Sequence, residues 1–211
     1  MSKSQSNRLP SILATCGIIA PVSLTIVLVV LGFLWPGYDP ATQFISELGG
    51  VGAPNAIIYA AGFALTGTLI TAFAFGLHHG INKESRSKTG SALVAIYGLG
   101  MVAQAFFPWD KANLVSFTSI MHLVVGWTYW IAMTLAPLFI ARRLKNDSQW
   151  KSYRVYSLAT GLVTAVLILI LESIWIEGYM GVLQRIAVGV PLLWIEIMAI
   201  KLLRLSIRSS T

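Results

Sequence analysis

Residues 11–35 read SILATCGIIAPVSLTIVLVVLGFLW, and none of them is Asp, Glu, Lys, Arg or His. A bilayer's hydrocarbon core is about 30 Å thick, and a helix rising about 1.5 Å per residue crosses it in roughly 20 residues. A run of this length reads as a transmembrane helix. Further runs of the same kind lie at about 56–77, 89–107, 117–140, 157–176 and 186–203. Each is expected to be helical, because lipid offers no partner to a free backbone N–H or C=O and a helix satisfies its own. Lys3 and Arg8 give the first run the flank of a signal peptide, but it is too long for one and no Ala-x-Ala site follows. Cys16, the single cysteine, sits at the start of that run and is read as a small packing residue.

Composition agrees with the runs. Of 211 residues, 56% are hydrophobic and only 11% charged, and the mean hydropathy is +0.74. A soluble domain carries about 25% charged residues to cover its surface. This chain has too few for that, so its solvent is mostly lipid. A soluble enzyme, a disordered protein and a disulfide-stapled secreted domain are all excluded, the last by the lone cysteine.

The net charge of +7 is distributed by connection. Lys3 and Arg8 precede the first run, and Lys83, Arg86 and Lys88 lie between the second and third. Arg142, Arg143, Lys145, Lys151 and Arg154 join the fourth and fifth, and Lys201, Arg204 and Arg208 close the chain. The other three connections hold only Lys111 and Arg185, beside Asp39, Glu47, Asp110 and Glu177. Basic residues mark the cytoplasmic side. The expectation is therefore an all-α integral membrane protein, a six-helix bundle of three outward-pointing hairpins with both termini in the cytoplasm. Residues 11–203 form one membrane domain, with tails at 1–10 and 204–211. The basic charge is topology, helped by anionic headgroups. No aromatic-interleaved basic patch points to nucleic acid.

The outer turns share an aromatic followed by a carboxylate: Trp35-Pro36-Gly37-Tyr38-Asp39, Phe107-Pro108-Trp109-Asp110 and Trp175-Ile176-Glu177. An ancient hairpin repeat explains this, and so does the aromatic belt found at any membrane interface. The first outer connection, 36–55, is the longest. Asp39 suits a helix cap, Pro40 a first turn and Gly49-Gly50 a stop. Ala41, Phe44, Ile45 and Leu48 fall on one helical face. The spacing predicts a short amphipathic helix over 40–48, lying in the interface. Its polar side either meets water or turns Ser46 and Glu47 inward as a lid.

Three motifs carry a resemblance. Phe44-Ile45-Ser46-Glu47-Leu48-Gly49 with Gly52-Ala53-Pro54-Asn55, then Phe107-Pro108-Trp109-Asp110 with His122, and finally Gly181-Val182-Leu183-Gln184-Arg185-Ile186 are spread over nearly the whole chain. Together they resemble domain-of-unknown-function family 998, a family of prokaryotic membrane proteins. The resemblance implies six helices and a loose association of similar proteins with lipid handling. It implies no reaction and no catalytic roles.

Ionisable side chains inside spans mark sites by default. His122 and Glu172 each lie about one turn inside the outer surface, and Gln104 lies at similar depth. Gln184 and Arg185 open the sixth run at that level, with Asp110, Glu177 and Glu47 just above. One reading makes this layer structural: Arg185 pairs with Glu172 or Glu177, and His122 bonds Gln104. The other makes it a site, with His122 and Glu172 as acid and base and Ser46, Glu47, Asp110, Gln184 and Arg185 binding a ligand. His122 among these carboxylates also suits zinc in its chemistry, but no HExxH or CxxC motif supports a metal, and no cofactor is implied. His78-His79, at the cytoplasmic end of span two, reads as a snorkelling interface pair. Glu196, deep in the sixth run after Pro191, is what a proton-coupled transporter would use. The leading expectation is binding or remodelling of a lipid or small amphiphile at the outer leaflet of the cytoplasmic membrane. The alternatives are a small proton-coupled transporter using Glu196 and Glu172, and a scaffold with no chemistry. Oligomeric state is left open.

Overall fold

The computed structural model describes residues 3–81, 87–174 and 176–208, and all regular structure among them is helical. The α-helices are α1 (Lys3–Leu34), α2 (Ala56–Gly80), α3 (Thr89–Gln104), α4 (Phe117–Leu144), α5 (Arg154–Ser173) and α6 (Met180–Arg208). Two short 3₁₀ turns occupy Ile45–Gly49 and Lys151–Tyr153. Lys83 and Arg86 of the basic connection, Trp175 of the third tip and the extreme ends of both tails lie outside the described residues.

Five helices are long and apolar enough to cross a membrane, and α3 is a shorter apolar helix. At 16 residues α3 covers about 24 Å. The sequence reading carries it to 107, but its end tightens into i→i−3 bonds at Ala105, Phe106 and Phe107. Pro108 explains the stop, since the residue before a proline is pushed out of the helical region. Helix continues into the stretches read as tails. Helix α1 begins at Lys3 and α6 runs to Arg208, so most of 1–10 and of 204–211 is helix.

The helices close in chain order, each packing on the next and α1 on α6, with α2 also reaching α6. Small residues permit this where backbones meet, as is usual between helices in lipid. A Cβ on Gly67 of α2 would stand 2.3 Å from the Gly98 carbonyl of α3, and one on Gly98 would stand 2.5 Å from that of Gly67. The outside is apolar: Phe33, Ile57, Val115 and Val155 are among many large exposed hydrophobic side chains. Soluble monomers rarely expose so much apolar surface. Hydrogen bonds identify the two ends. At the terminal end, Ser11 meets Ser206 at 3.0 Å, and Trp150 and Arg143 donate to the last carbonyls of α2 and to Ile81. At the other, the tip end, the first connection is bonded to the second and to the start of α6.

The amphipathic α-helix expected over 40–48 does not form. Asp39 does cap a turn, accepting from Ala41 N at 2.9 Å and from Thr42 Oγ1 at 3.0 Å. An α-helix would then need Ala41 O to accept from Ile45 N and Gln43 O from Glu47 N. Both carbonyls are taken by α6: Ala41 O accepts from Val182 N, and Gln43 O accepts from Arg185. Ile45 N donates to the Gln184 side chain instead. After the turn at Asp39, Ile45–Gly49 coils as a 3₁₀ turn, with Ile45 and Leu48 buried in protein.

Candidate binding site

The first connection sits on the tip end and is bonded on two sides. Glu47 folds back on its own turn, accepting from Phe44 N at 3.1 Å, and reaches the second connection through Lys111 Nζ at 3.2 Å. Val51 N adds a bond to Trp109 O at 2.8 Å. On the α6 side, Gly181 lets the loop rest directly on the helix. A Cβ there would meet the carbonyl oxygens of Gln43, Pro40 and Ala41 at 2.4, 2.5 and 2.9 Å.

Below this loop α1 and α6 part to leave a cleft of about 450 Å³. Its walls are Leu24, Leu28 and Phe33 from α1 and Val188, Gly189 and Leu192 from α6, and Pro40 and Ile45 roof it. Phe33 and Gly189 are exposed, so the cleft opens sideways onto the apolar surface. Arg185 and Tyr38 stand at its tip end. The Arg185 guanidinium donates to Gln43 O at 2.9 Å, to Gly181 O at 3.0 Å and to the Tyr38 hydroxyl. Tyr38 in turn donates to Phe44 O at 3.1 Å and stacks on Trp35 with ring centroids 5.5 Å apart. Burial pushes the Tyr38 phenol above its ordinary pKa, while the bond and charge of Arg185 pull the other way. The phenol therefore stays protonated and keeps its donor.

The polar layer read from the sequence is divided. Arg185, Gln184 and Glu47 meet on the first loop. His122 lies apart from them, its Nδ1 2.7 Å from Phe107 O and its ring against Trp109. That bond assigns the proton to Nδ1 in the neutral ring. Glu172 is exposed on α5, and Arg185 does not pair with it. Asp110 shapes its own loop, accepting from Ala112 N and Asn113 N. Ser46 is half-buried on the 3₁₀ turn and Glu196 half-buried on α6. Gln104 is buried with neither amide atom hydrogen-bonded, so it is not the partner of His122. Among the described residues no three His, Cys, Asp or Glu side chains stand together as a metal site. Tyr38 was legible only as an interface aromatic. Its clamp on Arg185 depends on α1 and α6 being neighbours, which no local pattern records.

Apolar helices of spanning length, an apolar exterior and short connections define a multi-pass helical membrane protein. Within that class the chain belongs to the family described as protein of unknown function (DUF998), which it matches over residues 18–201. Among curated proteins and solved structures, none matches it.

Proposed function

We propose that this protein binds a lipid or similar amphiphile from the outer leaflet of a prokaryotic cytoplasmic membrane, using the cleft between α1 and α6. The cleft carries the reading: it is apolar along its walls, open to the side and polar at one end. Its volume falls in the range of small-molecule sites, roughly 300–1,000 Å³. Orientation follows from charge, since the basic connections gather at the terminal end and the tips hold only Lys111 and Arg185. The proposed arrangement is six spans with three hairpins pointing outward. The reading is of binding, since His122 bonds Phe107 O and Glu172 is exposed on α5, away from the cleft lining.

The test is to fill the cleft. Gly189 faces it, and a Cβ there meets nothing within 4 Å. Gly189→Phe should therefore fold as the wild type does, with the added ring occupying the ligand's place. Native mass spectrometry of both proteins, purified from membranes in a mild neutral detergent, should show co-purified lipid on the wild type and much less on the variant. Equal retention by both would remove the reading.

A further inference from the structure

The proposed cleft has one charged group at its head, and its surroundings say what that group lacks. Arg185 offers five N–H donors in a planar fork. The partners present are two backbone carbonyls and a protonated phenol, all neutral. Carboxylates nearby are committed elsewhere: Asp39 to Ala41 N and Thr42, and Glu47 to Phe44 N and Lys111. Among the described residues Arg185 has no carboxylate partner. A cation half-buried against apolar walls is poorly solvated, and an anion at hydrogen-bond distance is its natural complement.

We infer that the ligand's head is an acid, a phosphate or carboxylate, held by Arg185 beside Tyr38 with its apolar body running down the cleft. This rests on the cleft being the binding site, as proposed above. The geometry gives the body a length. From Arg185 to Leu192 along α6 is about 10 Å, and from Phe33 to Leu24 along α1 about 14 Å. That accommodates a chain segment lying within one leaflet, with the acid at interface depth. Both ends of such a molecule are matched, since the walls offer hydrocarbon and the head offers a fork of donors.

The experiment compares ligand pairs that share a hydrocarbon body and differ in the head, one acidic and one neutral. Purified wild-type protein is offered oleate against oleyl alcohol and dioleoyl phosphatidylglycerol against dioleoylglycerol, with inorganic phosphate as a head without a body. Retention is read by native mass spectrometry. A charge-assisted hydrogen bond is worth enough that each acid should be retained roughly tenfold or more over its neutral counterpart, with free phosphate not retained. Preference for oleate marks a fatty acid as the source, and preference for the phospholipid marks a membrane phosphate; either supports the inference. Arg185→Gln should bring acid and neutral ligand to within about twofold of each other while leaving the neutral one bound. Arg185 also holds the loop, so a variant that fails to fold leaves the decision to the wild-type pairs, which need no substitution. Equal retention of acid and neutral ligand by the wild type overturns the acid head. If Gly189→Phe still lowers both, the cleft survives as an amphiphile site; if it lowers neither, the cleft itself is wrong. Phosphate retained as well as the lipids would overturn the paired head and body.

Discussion

Two glycines of α6 sit two turns apart in opposite situations. Gly181 is pressed against three backbone oxygens that have nowhere to move, whereas Gly189 faces open space. Gly181→Ala should therefore destabilise the protein by about 1–3 kcal/mol, as overpacking does. Gly189→Ala should be neutral or stabilising by up to about 1 kcal/mol from helix propensity. Thermal unfolding in detergent measures both, and equal losses would contradict the contacts described at Gly181. Tyr38 gives a pH dependence. Its phenol is held above the ordinary value of about 10 by burial, so the folded state prefers the proton. The contribution is complete at neutral pH and is lost as pH rises from the ordinary value through the raised one. Tyr38→Phe should shallow the alkaline fall in stability and leave the neutral range flat.

At the scale of elements, the first loop separates what local pattern records from what it does not. Asp39 as a cap and Gly49-Gly50 as a stop were legible, since each depends on neighbours in sequence. The coil between them was not. Its carbonyls are claimed by residues of α6, and tertiary partners override propensity over so short a stretch. The same contrast sorts the contacts by strength. Lys111 is mostly exposed, so Lys111→Ala should change stability by no more than about 1 kcal/mol despite its ion pair. Gln184→Ala leaves the Ile45 N–H without its acceptor on a mostly buried turn, and should cost about 1–3 kcal/mol. A chemical-denaturation comparison that reversed this order would mean the loop is held from the second connection and not from α6.

For the whole molecule, the approximate positions of the helices followed from apolar run length, with ends shifted by a few residues. Neighbours around the ring did not. Counting rise per residue puts Arg185, Glu172 and His122 at one expected level, but packing order brings only Arg185 onto the first loop, and that order is set by small residues and loop bonds scattered along the chain. The proposed orientation is open to a direct check. Single cysteines at Ser87 and Asn146, in a background with Cys16 replaced by serine, should be protected from an impermeant thiol reagent in intact cells. One at Asn113 should react. Labelling of the first two from outside would invert the topology and move the cleft to the inner leaflet.

The bonds that shape the first loop come from far along the chain, and this gives the protein a clock. Gln184 follows Ile45 by 139 residues. At roughly 5–20 residues per second, the loop waits about 7–28 s of synthesis for Val182, Gln184 and Arg185 to emerge. Until then residues 38–50 have their own cap and turn but no acceptor or donor from α6, and α1 has no wall opposite it. Arg185, Gln184 and the second wall arrive together when α6 inserts. A nascent chain arrested after α5 would hold five helices in the membrane and no cleft at all.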